Sequence, residues 1–254
     1  MILRGGSKIT KRLARSVLTV YIHYKVAKNY HLTSASGFPI VVGGQWWLVT
    51  ARHVVELIAE LKKANQLNRV MLGDAWVGLD GKGYQAQPPL EVDHPVEIGD
   101  DLNSIDLAAF KIRPLLVSSL KAGNTIAVAE SNWRQVPKHF KNYYLLGFPG
   151  ELMKKTPSSG APTEIEAKRC LMRLKKIPTA DGRFHASICD GPKSGIMVSK
   201  IEGVSGGPIF GAKRFNNGVR IWVIAVQSSW DKSKKKVTGD YLVNLGDKLL
   251  KMQS

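Results

Sequence analysis

Cysteine is scarce in this chain, which has only Cys170 and Cys189 among its 254 residues. Two cysteines are too few for a disulfide scaffold, and their separation excludes a C-x-x-C zinc pair. They lie in strand-like segments separated by "TADGRF", so geometry allows a disulfide between the two segments. Two reduced thiols in a reducing compartment are the simpler interpretation.

Long apolar runs are also missing, since no stretch approaches the roughly 18 apolar residues that a membrane-spanning helix needs. The basic opening "MILRGGSKITKRLAR" is followed by "SVLTVYI", which is short and interrupted by Thr19. This pattern is more typical of a strand than of a signal peptide. We therefore expect a cytoplasmic protein without a membrane span.

Acidic residues are few, with 20 aspartates and glutamates against 37 lysines and arginines, and the formal net charge is +17. Residues 1–118 hold 14 basic and 10 acidic residues, whereas residues 119–254 hold 23 and 10. A basic excess favours encounter with an acidic protein or nucleic acid but says nothing about fold. The lysine-rich "DKSKKK" at 231–236 is predicted to be an exposed hairpin loop.

Short apolar segments punctuated by glycine, proline, asparagine and aspartate recur along the chain and predict an all-β sandwich or barrel. The predicted strands are "SVLTVYIHY", "PIVVGG", "WWLVTA", "NRVMLGDAWVGL", "DLAAFKI", "TIAVAE", "YYLLGF", "RCLMRL", "FHASIC", "SGIMVSKI", "RIWVIAVQSS" and "DYLVNL". Two helices are predicted. One is "HVVELIAELKKA", whose apolar face comprises Val54, Leu57, Ile58 and Leu61, and the other is "NLGDKLLKMQ", with Leu245, Leu249 and Met252 facing a core. Residues 112–124 are the best candidate boundary between two halves.

The segment "IEGVSGGPIF" surrounds Ser205 with glycines, which indicates that something approaches its backbone closely. A serine hydroxyl becomes a nucleophile only beside a general base. His53 in "WWLVTARHVV" lies where an apolar strand meets a helix, a junction that makes a side chain both rigid and exposed. The contexts of the other five histidines are more typical of surface or structural positions: His23, His31, His94, His139 and His185.

A base of this kind needs an acid to orient it. Asp106 in "NSIDLAAFKI" begins a strand between apolar neighbours, where a carboxylate requires a partner such as an imidazole N–H. The loop "EVDHPVEIGDD" offers further acids that are more typical of solvated positions: Glu91, Asp93, Glu97, Asp100 and Asp101. Asp101 is the alternative to Asp106.

Three segments, "VTARHVV", "SIDLAAF" and "GVSGGPIF", occur in this order and flanked by strands. Together they resemble the trypsin-like (chymotrypsin-fold) serine peptidases, particularly the bacterial and viral branches, over residues 16–250. The order His, Asp, Ser distinguishes this family from subtilisins and α/β-hydrolases. The resemblance implies two six-stranded antiparallel β-barrels, with His and Asp in an N-terminal barrel (residues 14–118) and the serine in a C-terminal barrel (residues 119–254) that ends in a helix.

The resemblance also implies a mechanism without metal or cofactor. Ser205 would attack the peptide carbonyl, His53 would transfer the proton, and Asp106 would hold the tautomer of the imidazole. The backbone N–H groups of Gly203 and Ser205 would form the oxyanion hole. The partner would be a polypeptide substrate.

The resemblance defines the specificity pocket in less detail than it defines the triad. Its implied members are Ser199 at the floor, Gln227, Ser228 and Ser229 in the walls, Gly239 at the back and Glu202 at the mouth. The floor carries no charge, so a small or medium uncharged residue is expected on the N-terminal side of the scissile bond. Glu202 could still attract a basic substrate residue.

Two departures from the secreted family members stand out. Val54 follows the histidine where many members have cysteine, and Val204 precedes the serine where zymogen-activated members have aspartate. The resemblance therefore implies a peptidase that needs no N-terminal activation cut. The alternative function is a catalytically silent chymotrypsin-fold module that binds nucleic acid or an acidic protein through its basic C-terminal half.

Overall fold

The structure is a computed structural model that describes residues 13–73, 88–98, 105–155, 165–167, 169–190, 201–216 and 218–252. The strands are β1 (Leu18–Val26), β2 (Asn29–Val42), β3 (Gln45–Thr50), β4 (Leu67–Gly73), β5 (Val96–Ile98), β6 (Leu107–Lys111), β7 (Asn142–Gly147), β8 (Met153–Lys155), β9 (Ile165–Ala167), β10 (Cys170–Ile177), β11 (Phe184–Asp190), β12 (Pro208–Phe215), β13 (Gly218–Asp231) and β14 (Lys236–Tyr241). The helices that concern us are α1 (Arg52–Lys63), α2 (Pro114–Ala122) and α3 (Leu242–Lys251).

The first six strands form one antiparallel sheet in the order β4-β1-β2-β3-β6-β5. The 14-residue β2 is long enough to pair with β1, where Gly37 lies opposite Leu18, and then with β3, where Phe38 lies opposite Val49. Helix α1 packs on this sheet in a buried cluster that includes Leu48. The helix that follows His53 is thereby fixed to the strand that precedes it.

A second set of strands forms a closed antiparallel barrel in the order β10-β11-β14-β13-β12-β7, and β8 pairs with β9 separately. The prediction of an all-β fold with two six-stranded antiparallel units is confirmed. Within the described residues, hydrogen bonds close only the second unit, and β4 and β5 remain the edges of the first. The predicted hairpin loop at 231–236 is confirmed by the pairing of Asp231 with Lys236.

The core between the two units determines where their loops meet. Phe38 from the first sheet and Phe210 from the barrel belong to one buried cluster, together with Leu245 and Leu249 of α3. Trp133 is fully buried in the same cluster and donates its indole N–H to Val41 O at 3.2 Å. The predicted docking of the terminal helix is therefore confirmed for two leucines, but Met252 is 59% exposed.

Several local predictions were wrong in instructive ways. Leu57 of α1 is 37% exposed, whereas Val55 is buried with Val54, Ile58 and Leu61. At about 100° per residue, burial of Val55 rotates the apolar arc so that Leu57 lies at its border. The stretch "TIAVAE" forms only a bridge between Val128 and Ile40 instead of a strand.

The chain between the two units also differs from expectation, because residues 114–122 form helix α2. Pro114 occupies the first turn, where a missing N–H is harmless and a fixed φ suits the helix. Similarly, "DYLVNL" ends a strand at Tyr241 and starts α3 at Leu242. Apolar content alone did not separate the first turn of α3 from a strand.

Cys170 and Cys189 are both free thiols, the first buried and the second exposed. Burial raises the pKa of the Cys170 thiol to about 11. In the described part of the chain, no helix has the length and apolar character to cross a membrane.

Candidate active site

His53 is the second residue of α1, directly after the buried strand β3 and the extended residue Ala51. The first N–H groups of a helix have no partner within the helix. The N–H of His53 donates instead to Asp106 Oδ1 at 2.9 Å. The carboxylate of Asp106 thus caps the helix and fixes the backbone that carries the imidazole.

The other carboxylate oxygen of Asp106 binds the imidazole itself, with His53 Nδ1 and Asp106 Oδ2 2.7 Å apart. The side chain of His53 is 45% exposed and that of Asp106 20%. The hydrogen bond from Asp106 raises the pKa of His53 above its ordinary value, and the negative charges of Asp106 and Glu56 add to the effect, while desolvation opposes it. An Nδ1–H donated to Asp106 leaves Nε2 to accept a proton.

The loop that carries Ser205 is a series of tight turns. Gly203 and Gly206 have φ values of 88° and 84°, in the left-handed region that glycine tolerates best. The N–H of Gly207 donates to Val204 O at 2.7 Å, and the N–H of Gly206 donates to Gln227 O at 2.9 Å. These bonds fix the Ser205 loop to the start of β12 and to β13.

Ser36 of β2 joins this loop to the other sheet. Its N–H donates to Ser205 O at 2.8 Å, and its hydroxyl donates to Gly203 O at 2.8 Å. The same hydroxyl accepts the N–H of Phe148 at 2.9 Å, and Thr50 Oγ1 donates to Ser36 O at 2.9 Å. Ser36 is fully buried, so each of these bonds is shielded from water.

Gly206 shows how closely the two sheets approach at this point. A Cβ on Gly206 would overlap Ser36 O and Thr50 Oγ1, and it would lie 3.0 Å from the N of Ala51. Ser205 therefore lies beside the strand end that leads into His53. Among the described residues, the hydroxyl of Ser205 makes no hydrogen bond to His53.

The orientation of the Glu202–Gly203 peptide is fixed by a bond from Gly150 N to Glu202 O at 2.6 Å. A trans peptide points its C=O and N–H in opposite directions, so the N–H of Gly203 faces away from Gly150. Neither this N–H nor that of Ser205 donates to any residue in the described ranges.

The remaining acids predicted as alternatives are engaged elsewhere or lie outside the described residues. Glu91 forms an ion pair with Arg113, and Asp93 bonds to Lys62 at 2.6 Å. Glu97 lies 3.3 Å from Arg52. Asp100 and Asp101 lie outside the described residues. Among the described acids of this set, Asp106 is the one in contact with His53.

The predicted pocket residues have different environments. Ser199 lies outside the described residues, and the side chains of Glu202 and Ser229 are exposed. Gly239 faces the barrel interior, where a Cβ would lie 2.7 Å from Ile209 Cδ1. The hydroxyl of Ser228 bonds to Arg183 Nη2 at 2.8 Å and to Thr238 O at 3.2 Å.

Gln227 is 1% exposed, and its buried carboxamide oxygen has no hydrogen-bond partner among the described residues. A buried polar atom usually has a partner, so its absence at this position is informative. The backbone of Gln227 bonds to Gly206 and Gly207, so Gln227 adjoins the Ser205 loop.

Basic side chains gather on the outside of the barrel. Lys175 of β10 lies in register with Ser187 of β11, which lies in register with Lys236 of β14. The adjoining hairpin adds the exposed Lys232, Lys234 and Lys235. Binding of an anionic partner, either an acidic protein or nucleic acid, to this basic face stays a prediction.

Sequence reasoning missed Ser36, Gly150, Arg183 and Asp240. The backbone N–H of Asp106 donates to Asp240 Oδ2 at 3.1 Å, and Asp240 is 2% exposed. The rule that singled out Asp106, that an acid among apolar residues needs a partner, applies equally to Asp240 in "VTGDYLV". No comparable local signal marks Ser36 or Gly150.

No family model and no curated sequence matches the chain. The fold, however, is shared with solved structures. The thermostable serine protease AL20 from an extremophilic microorganism matches with a TM-score of 0.53 and 13% identity, over 93% of this chain and 95% of that chain. The catalytically active tobacco etch virus protease in complex with product matches with a TM-score of 0.50 and 9% identity, over 99% and 83%. The chain has the chymotrypsin-like two-barrel fold that these proteases share.

Proposed function

We propose that the chain is a serine endopeptidase whose triad is His53, Asp106 and Ser205. The observation that carries this proposal is the two-point contact of Asp106 with His53, through Nδ1 at 2.7 Å and through the backbone N–H at 2.9 Å. This contact lies beside the glycine-rich Ser205 loop, in which the N–H groups of Gly203 and Ser205 donate to no described residue. The shared fold of the two proteases supports the assignment.

In the proposed reaction, Ser205 Oγ attacks the peptide carbonyl carbon while His53 Nε2 accepts the hydroxyl proton. The carbonyl oxygen becomes an oxyanion that accepts hydrogen bonds from the N–H groups of Gly203 and Ser205. When the C–N bond breaks, His53 donates its proton to the leaving amine. Water then attacks the acyl-enzyme by the same route and regenerates the Ser205 hydroxyl.

The same proposal includes formation of the loop without an N-terminal cut. Val204 is fully buried, and a Cβ on Gly147 would overlap its side chain. Apolar packing of Val204 thus occupies the position at which zymogen-activated members form an ion pair. The hydrogen bonds from Ser36 and Gly150 provide further order around the loop.

We further propose an uncharged substrate residue on the N-terminal side of the scissile bond. The support is that the implied floor residue, Ser199, carries no charge, so the floor offers no carboxylate to select lysine or arginine. Sequencing the cleavage products of a peptide library tests this preference. A strong preference for lysine or arginine at that position would contradict it.

The decisive experiment combines active-site labelling with product profiling. A fluorophosphonate probe is expected to acylate Ser205 in the wild type, and Ser205→Ala is expected to lose labelling and at least about 10⁴-fold in kcat. Ser118→Ala, at an exposed serine on α2, is the control for labelling specificity. If folded wild-type protein is not labelled at Ser205, the chain is not a serine peptidase.

A further inference from the structure

A buried ion pair of the second barrel lies directly behind Asp106. Asp240 of β14 accepts the Asp106 N–H at 3.1 Å through Oδ2, although the two residues are 134 positions apart. The side chain of Asp240 is 2% exposed. A carboxylate so far removed from water is stable only with a cation or several donors around it.

Arg183, just before β11, supplies that cation in a bidentate contact. Its Nε lies 2.8 Å from Asp240 Oδ1 and its Nη2 2.9 Å from Asp240 Oδ2. Nη2 also donates to the hydroxyl of Ser228. The planar guanidinium is thus held on β13 as well as β14, which leaves little freedom for the carboxylate it binds.

This arrangement controls the residue that orients the imidazole. Both carboxylate oxygens of Asp106 bind His53, so the direction of that carboxylate depends on its own backbone. The backbone belongs to the first sheet, whereas Asp240 belongs to the barrel that carries Ser205. The bond between them therefore ties the His53–Asp106 pair to the barrel of the nucleophile.

The charges matter as well as the geometry. An unpaired Asp240 would place a second negative charge beside Asp106, and an unpaired Arg183 would offset the charge of Asp106. As a pair they are neutral, so Asp106 remains the dominant charge acting on His53.

We propose that Asp240 and Arg183 are positioning residues that aim the Asp106 carboxylate at His53 and keep its charge uncompensated. The effect on catalysis rests on the proposed peptidase function. The effect on His53 itself does not, because the imidazole titrates whether or not the protein cleaves peptides.

Other charged groups also lie near these residues. His53 is also approached by Glu56 of α1, which lies 2.8 Å from Arg52, and Arg52 in turn lies 3.3 Å from Glu97 of β5. On the barrel side, His185 of β11 bonds to Asp181 at 2.5 Å and to Thr238 at 3.2 Å. None of these contacts is changed by the substitutions below.

The first test uses Asp240→Asn, which keeps an oxygen to accept the Asp106 N–H but leaves Arg183 without its counter-ion. We expect the pKa of His53 to fall, so the acid limb of kcat/KM moves to lower pH, and kcat to decrease by on the order of 10²-fold with little change in KM. In Asp240→Asn/Arg183→Met, which is neutral again, the pKa of His53 is expected to return toward the wild-type value while kcat stays low.

The control is Asp231→Asn, which removes the same charge from the exposed hairpin of the barrel. It is expected to leave the His53 titration unchanged. The titration is followed by NMR of the imidazole in a Ser205→Ala background, so an inactive wild type would refute the peptidase proposal without affecting this test. If folded Asp240→Asn shows wild-type titration and kcat, the positioning role is wrong.

A measurement on the unmodified protein covers the case in which the variants do not fold. The amide proton of Asp106 is expected to be shifted downfield and protected from hydrogen exchange, because it donates to a buried carboxylate. An Asp106 amide that exchanges as fast as the amides of exposed loops would overturn the proposal.

Discussion

At the scale of single residues, the candidate site depends on how the imidazole of His53 is held. Asp106 binds both its ring and its backbone, so one carboxylate fixes the tautomer and the position of the helix start. Ser36 has a comparable role for the Ser205 loop, because its single buried hydroxyl bonds to both Gly203 and Phe148. Each interaction joins segments distant in sequence.

The pH dependence follows from the raised pKa of His53. Activity requires neutral His53 and is expected to fall as the pH decreases through that raised pKa. Asp106→Asn removes the main cause of the shift, so the acid limb should move to lower pH, and kcat should drop by about 10⁴-fold because the wrong tautomer is favoured. Rate profiles between pH 4 and 9 are the measurement, and an unmoved acid limb would contradict the assignment.

The same shift has a consequence for folding. A histidine whose pKa is raised in the folded state contributes stability that is fully present below the unfolded value of about 6.5 and is lost as the pH rises through the folded value. The free energies of unfolding of the wild type and of Asp106→Asn should therefore differ more at pH 5 than at pH 9. Urea titrations at the two pH values measure this difference.

Gly206 offers a sharp test of the contact between loop and strand. Gly206→Ala combines the unfavourable backbone of an L-residue at φ 84° with overlap on Ser36 and Thr50, and should destabilise the fold by about 2–5 kcal/mol. Gly44→Ala is the matched control, because its φ is 80° but a Cβ there meets nothing within 4 Å. Its expected cost is about 1–2 kcal/mol. Equal melting temperatures for the two variants would show that the close approach is absent.

At the scale of elements, α1 matters because it presents His53 at its N-terminus. Its buried side chains pack on the first sheet, and this packing keeps the helix in place together with the Asp106 carboxylate, which accepts the N–H of His53. Helix propensity contributes little by comparison, since Val54, Val55 and Ile58 are β-branched.

Two neighbouring residues of α1 test whether burial, rather than apolar character alone, determines how much a side chain contributes to stability. Ile58→Ala removes a side chain that is 2% exposed and should cost about 2–5 kcal/mol. Leu57→Ala removes one that is 37% exposed and should cost less than about 1 kcal/mol. Chemical denaturation of both variants gives the comparison, and a larger effect at Leu57 would mean that the helix is rotated from the face described above.

At the scale of the whole molecule, the shared core between the first sheet and the barrel decides the geometry of the site. Trp133 and α3 fill this core from outside both units. The candidate site is assembled from segments on either side of it, so the relative position of His53 and Ser205 depends on the packing of this core.

Gly246 of α3 tests that packing. Alanine is better than glycine in a helix by about 1 kcal/mol, but a Cβ on Gly246 would overlap the fully buried ring of Trp133. Overpacking of this kind costs about 3 kcal/mol at the upper end, so Gly246→Ala should lose about 2 kcal/mol net. Val243→Ala, on an exposed part of the same helix, should change stability by about 0.5 kcal/mol or less. Stabilisation by Gly246→Ala would contradict this core arrangement.

Particular residues show how far the sequence could lead. Strand periodicity and the glycine-rich segment predicted the all-β fold and pointed to His53, Asp106 and Ser205 as candidates, since strand ends and left-handed turns leave local signals. Helix α2 was missed because the proline and small polar residues of 112–124 suggested a boundary, and the exposure of Leu57 was mispredicted because spacing leaves the exact rotation of a helix undetermined. The pocket residues had no such signal, and their roles stay predictions.

What the sequence determined by itself was therefore local: the strands, the turn at Ser205 and the types of residue able to carry the chemistry. Only the tertiary structure decided that Asp240 and Arg183 lie behind Asp106, and that Ser36 holds the Ser205 loop. The physical reason is that the bonds from Asp106 to Asp240 and from Ser36 to Gly203 join residues more than 100 positions apart and depend on how the two units pack, while the Arg183–Asp240 pair depends on how the barrel strands pair. Nothing in the neighbouring sequence of either partner records that packing.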